Sequence, residues 1–321
     1  MIEKLAIIIM ILLNQLNIAP ENQSSVNFLN QFTKEERISR QFNLQEENWS
    51  YYGSVSTNEN MLWPFPSKIK GASDFNVSAK SAIILDIGTD AILYSKNSNE
   101  NLPIASLTKI MTALVVLDNA NLDETVIISQ DAFNIKGSKN GLAVGEKISV
   151  ENLLKIMLVS SNNIAAAALA EQTSGSVDSF VELMNKKANL IGLKNTKFSN
   201  PSGLDSKKGD NISTAYEIAQ LTDYALEKPL IWEILRIQRT TVVSADGKIK
   251  HRLKNTNLLL GKLKNITGGK TGLTDDAGQC LMLVVGDPDD NHRIISVILN
   301  ADNRFLETEK LVRWVFRSYK W

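Results

Sequence analysis

Three short strings carry the side chains of this sequence that could do chemistry. Ser106-Leu107-Thr108-Lys109 sets a hydroxyl and an amine three positions apart. On a helix, positions i and i+3 share a face, so the two groups can meet. A serine becomes a nucleophile when a base stands beside it, and a lysine desolvated near another cation can be that base. Ser161-Asn162-Asn163 is a Ser-x-Asn string at a polar corner between two apolar helical patterns, and Ser160-Ser161-Asn162 fits the same formula one residue earlier. Lys270-Thr271-Gly272 follows Gly268-Gly269 and opens a strand-like segment, where glycine permits close approach of a ligand backbone. Singly, the first two strings are cheap: Ser67-Lys68-Ile69-Lys70, Ser25-Val26-Asn27 and Ser138-Lys139-Asn140 repeat them. A specified tripeptide such as the third arises by chance in about 4% of chains this long.

Composition narrows the chemistry further. Lys and Arg number 35, as do Asp and Glu. That balance argues against nucleic acid as a partner, since phosphate neutralisation needs a basic face. Two histidines, His251 and His292, make a Ser-His-Asp triad or a His-based metal site an unattractive reading, and one cysteine, Cys280, excludes an internal disulfide and a thiolate-rich zinc site. A serine with a lysine beside it stays open to these strings, and no cofactor and no metal is expected. Cys280 reads as a small buried core residue, His251 as a surface or loop residue, Asp289-Asp290 as a solvated hairpin tip, and Glu151 as a helix N-terminal charge.

The elements that must position these strings follow from periodicity. Ser81–Asp86 and Ala91–Tyr94 flank Ile87-Gly88-Thr89-Asp90 and read as a β-hairpin. Helices are expected at 106–117, 152–158, 163–171, 177–190 and 214–225. Strands at 281–285 and 294–299 precede an amphipathic helix over 306–319, with Leu311, Val312, Trp314 and Val315 on one face. Strands at both ends with helices between imply an antiparallel sheet assembled from distant segments, with a helical lobe inserted.

The order Ser-x-x-Lys, Ser-x-Asn, Lys-Thr-Gly is the active-site set of β-lactamases and penicillin-binding proteins. Beyond it, the segments 104–113, Gly141-Leu142…Gly145-Glu146, Asn200-Pro201-Ser202-Gly203-Leu204-Asp205, Ser213-Thr214-Ala215 and 268–278 resemble the D-alanyl-D-alanine carboxypeptidases, the low-molecular-mass penicillin-binding proteins. The resemblance runs from about Val77 to the end. It implies an α+β, β-lactamase/transpeptidase-like fold: a five-stranded antiparallel sheet with flanking helices, plus an all-helical lobe. It implies that Ser106 attacks the penultimate D-alanine carbonyl of a peptidoglycan stem peptide ending in D-Ala-D-Ala, with Lys109 as base. Ser161 would relay protons, and Asn163 would orient Lys109 and the substrate amide. Lys270 and Thr271 would receive the terminal carboxylate, Gly272 lies in the same substrate-binding strand, and the N–H groups of Ser106 and Leu273 would form the oxyanion hole. β-Lactam antibiotics would be inhibitors, and the protein a monomer.

Three departures stand out. The family usually has Ser-Gly-Asn-Asp where this chain has Ser161-Asn162-Asn163-Ile164, and His where it has Ser202. Many members continue into a β-rich domain, whereas this sequence stops at Trp321 after the closing helix. Membrane attachment is therefore expected from residues 1–19 only. There, Leu5–Leu13 is an unbroken apolar run after Lys4, with no further Lys or Arg before Lys34. It reads as a signal peptide or anchor that places the rest outside the cytoplasmic membrane. Residues 20–75 are Asn-, Gln-, Ser- and Glu-rich and read as a polar flexible spacer, leaving 76–321 as the catalytic domain. Rival readings are a DD-endopeptidase on cross-links, a class A-like β-lactamase, and a catalytically silent peptidoglycan-binding module. The β-lactamase would need a Glu-x-x-Leu-Asn string between Asn163 and Lys270, and none occurs.

Overall fold

Three apolar runs, 81–86, 280–285 and 294–299, are too continuous to be strands with one wet face. The computed structural model describes residues 65–135, 141–205 and 209–321 and shows why. Strands β1 (Ser81–Asp86), β2 (Ile92–Lys96), β3 (Ile266–Thr274), β4 (Gly278–Gly286) and β5 (Arg293–Ala301) form one antiparallel sheet in the order β3-β4-β5-β1-β2. Its two faces carry separate cores. Leu281, Leu283, Val285, Ile294 and Ile298 pack with Leu311, Val312, Trp314 and Val315 of the closing helix. The alternating partners Cys280, Met282, Val284, Ile295, Val297 and Leu299 join the helical lobe. Alternation of side chains across a strand sends each set to its own layer.

The helices are α1 (Lys109–Asn119), α2 (Gln130–Phe133), α3 (Val150–Val159), α4 (Asn163–Ser174), α5 (Val177–Ile191), α6 (Ala215–Ala225), α7 (Pro229–Leu235) and α8 (Arg304–Ser318). Helix α4 is the axis of the lobe, touching α1, α2, α3 and α5. Its first eight residues are buried and four of them are consecutive alanines, which lets neighbours approach on every side. Side-chain oxygens of Ser149, Asn162, Ser176, Thr214 and Asn303 cap α3, α4, α5, α6 and α8, and α4 and α5 end on left-handed Gly175 and Gly192.

The fold begins earlier than composition suggests. Ser67–Lys68 pairs with Tyr319–Lys320, Phe75 stacks on Trp314, and the Trp314 indole N–H donates to Ser73 O at 2.8 Å. Residues 67–75, read as the end of the spacer, thus pack on α8. The apolar run Leu5–Leu13 and the spacer aromatics Trp49, Tyr51, Tyr52 and Trp63 lie outside the described residues.

A second correction concerns His251. It is buried on the inner face of a hairpin formed by Arg239–Val243 and Lys250–Lys254, where its Nε2 lies 2.6 Å from Glu146 Oε1. Cys280 is buried as expected, and burial pushes its thiol up to about 11.

Candidate active site

Ser106 does not sit on an α-helix. Ala105–Thr108 is a 3₁₀ turn that hands over to α1 at Lys109. In a 3₁₀ helix residues i and i+3 eclipse, so the turn aims Ser106 and Lys109 at each other more directly than an α-helix would. Ala105 enters the turn at φ 46°, a left-handed backbone that costs energy for a residue with a Cβ. The turn is pinned by Thr108 Oγ1 donating to Ala105 O (2.8 Å) and Asn211 Nδ2 donating to Thr108 Oγ1 (2.8 Å).

The Lys109 ammonium is fully buried and donates to Ser106 Oγ (2.8 Å), Asn163 Oδ1 (2.7 Å) and Ser202 O (2.6 Å). Those three bonds use every proton of a charged lysine. In the neutral amine, two N–H bonds can stay on Asn163 and Ser202 while the lone pair accepts the Ser106 hydroxyl proton. Burial first, and the Lys270 charge second, hold the Lys109 amine well below the ordinary lysine value. The neutral, basic form is therefore easier to reach than in an exposed lysine.

Lys270, equally buried, comes from β3 at the sheet edge. Its ammonium donates to Ser161 Oγ (2.8 Å) and to Thr271 O (2.8 Å). Burial, then the nearby Arg304 charge, lower it to about 7. The Arg304 guanidinium donates to Gly272 O at 2.6 Å, bracing the same strand. Thr271 is buried, and its hydroxyl lies 2.6 Å from that of Thr256.

Two strings that the sequence leaves ambiguous acquire one register. Ser160 Oγ turns back to Ile156 O in α3. Ser161 at φ 58° faces Lys270, Asn162 caps α4 through Ala165 N, and Asn163 faces Lys109. Asn162 thus fills the usual glycine position as a helix cap. Ser67, the serine of the competing Ser-x-x-Lys string, is exposed in the Ser67–Lys68 pair.

The 200–205 string supplies the wall behind Lys109. Asn200 Oδ1 accepts from Ser202 N, Ser202 Oγ and Gly203 N, and this turn aims the Ser202 carbonyl at the amine. Gly203 has φ 80°, and a Cβ there would fall on the Ala105 carbonyl. Gly272 approaches the same turn from the sheet, with a Cβ meeting Ile104 O at 3.0 Å.

Ser106, Lys109, Ser161, Asn163, Lys270 and Thr271 are therefore brought together, with Gly272 against the Ala105–Thr108 turn. Leu273 turns its side chain out, 61% exposed, so its expected contribution rests on backbone alone. Sequence reasoning missed the Ser202 carbonyl, Thr256 and Arg304. Among the described residues, Asp205, Asp210 and Asp276 are the acidic side chains close enough to share a cation, within 4.8 Å of one another. Repulsion from Asp205 and Asp210 raises the Asp276 carboxyl. Two of the glutamates between Asn163 and Lys270 are engaged elsewhere: Glu171 accepts from Ser129 Oγ, and Glu217 binds Asn195 and Thr196.

The chain is similar to known proteins in sequence and in fold. The family model described as D-alanyl-D-alanine carboxypeptidase, peptidase S11, matches residues 68–303. The chain is 35% identical over 259 residues to the D-alanyl-D-alanine carboxypeptidase DacF of Bacillus subtilis, a match covering 78% of this chain and 65% of that protein. It is 35% identical over 245 residues to the D-alanyl-D-alanine endopeptidase of Pseudomonas aeruginosa, covering 74% and 77%. Among solved structures, a Mycobacterium tuberculosis D-alanyl-D-alanine carboxypeptidase superposes with a TM-score of 0.72 at 26% identity, covering 78% of this chain and 96% of that one. Penicillin-binding protein D2 of Listeria monocytogenes, in its cefotaxime-bound form, superposes at 0.67 and 30% identity, covering 76% and 99%. A serine bonded to a buried lysine, facing a second buried lysine at the edge of a five-stranded sheet, together with a family match over most of the chain, leads to one assignment: this chain belongs to the D-alanyl-D-alanine carboxypeptidase family of serine peptidases.

Proposed function

We propose that the protein is a serine DD-carboxypeptidase that removes the terminal D-alanine from peptidoglycan stem peptides through an acyl-enzyme on Ser106. The observation that carries this is the buried Lys109 amine 2.8 Å from Ser106 Oγ, with its other partners a side-chain amide and a backbone carbonyl. Lys109 takes the Ser106 proton as Oγ bonds to the penultimate D-alanine carbonyl carbon. The carbon–nitrogen bond then breaks, and the leaving amine receives a proton through Ser161. Water hydrolyses the ester, regenerating Ser106. Lys270 and Thr271 receive the substrate carboxylate, Asn163 holds the substrate amide, and the N–H groups of Ser106 and Leu273 stabilise the oxyanion. β-Lactams acylate Ser106 in the same way.

Mass spectrometry tests this directly. Benzylpenicillin should add to Ser106, and Ser106→Ala should lose both the adduct and D-alanine release. An adduct elsewhere, or activity without Ser106, rejects the assignment. The endopeptidase reading is favoured by the name of the Pseudomonas relative. Release of monomers from purified cross-linked muropeptides, faster than D-alanine release from pentapeptide, would select it.

The substrate lies outside the cytoplasmic membrane, so the protein is exported, with 1–19 as its signal or anchor. No helix among the described residues is long and apolar enough to cross a membrane. Leu5–Leu13 supports the export reading through composition alone. Full-length protein found in the cytoplasm with Met1 intact would reject it.

A further inference from the structure

We propose that Thr256 is a positioning residue that sets the direction in which the Thr271 hydroxyl donates. The proposal rests on the reading of Thr271 as a contact for the substrate carboxylate.

Thr256 lies in a turn whose backbone has little freedom. Asn255 Nδ2 donates to Leu235 O (3.0 Å) and Ile237 O (2.8 Å), and its Oδ1 accepts from Asn257 N (2.8 Å). Asn257 Oδ1 accepts from Leu259 N (3.0 Å). The Thr256 N–H donates to Val159 O (3.2 Å), at the end of α3 from which the chain runs into Ser161. One residue thus joins the helical lobe, through its backbone, to β3, through its side chain.

The two hydroxyl oxygens of Thr256 and Thr271 are 2.6 Å apart, and either could be the donor. A threonine hydroxyl has one proton and two lone pairs. If Thr271 donates to Thr256, it has no proton left for an incoming carboxylate. If Thr256 donates, the Thr271 proton is free to point into the cleft. An anion arriving there selects the second arrangement, and a donor chain of two hydroxyls binds it more strongly than one hydroxyl does. A contact made to substrate and transition state alike changes KM and leaves kcat alone.

The test compares a soluble acyl-D-Ala-D-Ala peptide with the same peptide bearing a C-terminal carboxamide. Thr256→Val should raise KM for the carboxylate peptide about five- to tenfold, the effect of one neutral hydrogen bond. The kcat should stay within about twofold. The carboxamide peptide should be unaffected, and Thr256→Ser should restore the wild-type KM. Should the valine variant fail to fold, Thr256→Ala carries the same expectation. An unchanged KM overturns the proposal. So does an equal loss on both peptides accompanied by a lower melting temperature, which marks a purely structural role. Wild-type enzyme that neither releases D-alanine nor takes up benzylpenicillin would overturn the underlying reading and this proposal together; an active wild type indistinguishable from the valine variant overturns this proposal alone.

Discussion

The two sides of the cleft bury a lysine each, by different means. Lys109 belongs to the helical lobe and spends all three donors on oxygens fixed by separate segments: Ser106, Asn163 and Ser202. Lys270 belongs to the sheet edge and reaches one side chain, Ser161, and its own neighbour's carbonyl. Both amines are depressed chiefly by burial, but the second cause differs. Lys109 feels Lys270, and Lys270 feels Arg304. Positive charge thus forms a series, from the Arg304 guanidinium bonded to Gly272 O, through Lys270, to Lys109 in the lobe. The difference fits the proposed roles, since a base needs a lone pair and tight geometry, whereas a carboxylate receptor needs only charge and reach.

Arginine substitution should break that contrast most sharply. Lys109→Arg should lower benzylpenicillin acylation about a thousandfold, because guanidinium stays protonated at any working pH. Lys270→Arg should cost about tenfold, since the charge remains. Equal losses in stopped-flow acylation would erase the distinction between the two lysines.

Glycine positions sharpen the comparison in terms of stability. Gly203→Ala meets both a backbone clash with Ala105 and a left-handed φ of 80°, and should destabilise by at least about 2 kcal/mol in denaturant unfolding. Gly272→Ala meets Ile104 O at 3.0 Å with no such φ, and should cost about half as much. A reversed order would mean that the sheet side, and not the lobe side, is the more rigidly packed.

Proton linkage gives a smaller effect. A lysine depressed in the folded state binds fewer protons than it does unfolded. Stability therefore rises with pH between the folded and unfolded values, for Lys270 from about 7 towards 10.5. Lys270→Met should flatten the melting temperature across that window and raise it at the acid end. Arg304→Ala should move the Lys270 value upward, and with it the alkaline limb of the acylation profile. The smallest effect is expected at Asn162. Its replacement by glycine should cost only a few tenths of a kcal/mol, and by alanine about 1 kcal/mol, in thermal melts.

The side chains that meet in the cleft are legible because each lies in a local string, and the helices because their apolar spacing and caps are local too. What stayed hidden depends on distance along the chain. The Ser202 oxygen that holds Lys109 is a backbone atom 93 residues away and has no residue type to betray it. Thr256 looks like any loop threonine until β3 is folded beside it. Arg304 opens α8 and reads as surface charge, yet it is half-buried against Gly272. His251 alternates with charged neighbours and reads as exposed, because its burial comes from the Glu146 loop 105 residues earlier. Residues 67–75 have the composition of a spacer, and only the aromatic face of α8 recruits them. The 3₁₀ start of the Ser106 segment is hidden for a related reason, since the contacts that hold it come from Asn211 and the 200–205 wall.

The strand order β3-β4-β5-β1-β2 also dictates a timetable. The β1–β2 hairpin is made first, yet the neighbour that completes the pairing of β1 is β5, about 200 residues later. At ordinary synthesis rates of 5–20 residues per second, that delay is roughly 10–40 s. Throughout it, all six residues of β1, each buried in the finished protein, have an open hydrogen-bonding edge and no complete core to enter. The helical lobe is complete before β5 exists, but the half of the cleft that carries Lys270 cannot be held in place until the last strands arrive. A nascent chain of this topology is therefore without its active site, and vulnerable to capture, for most of the time it takes to make.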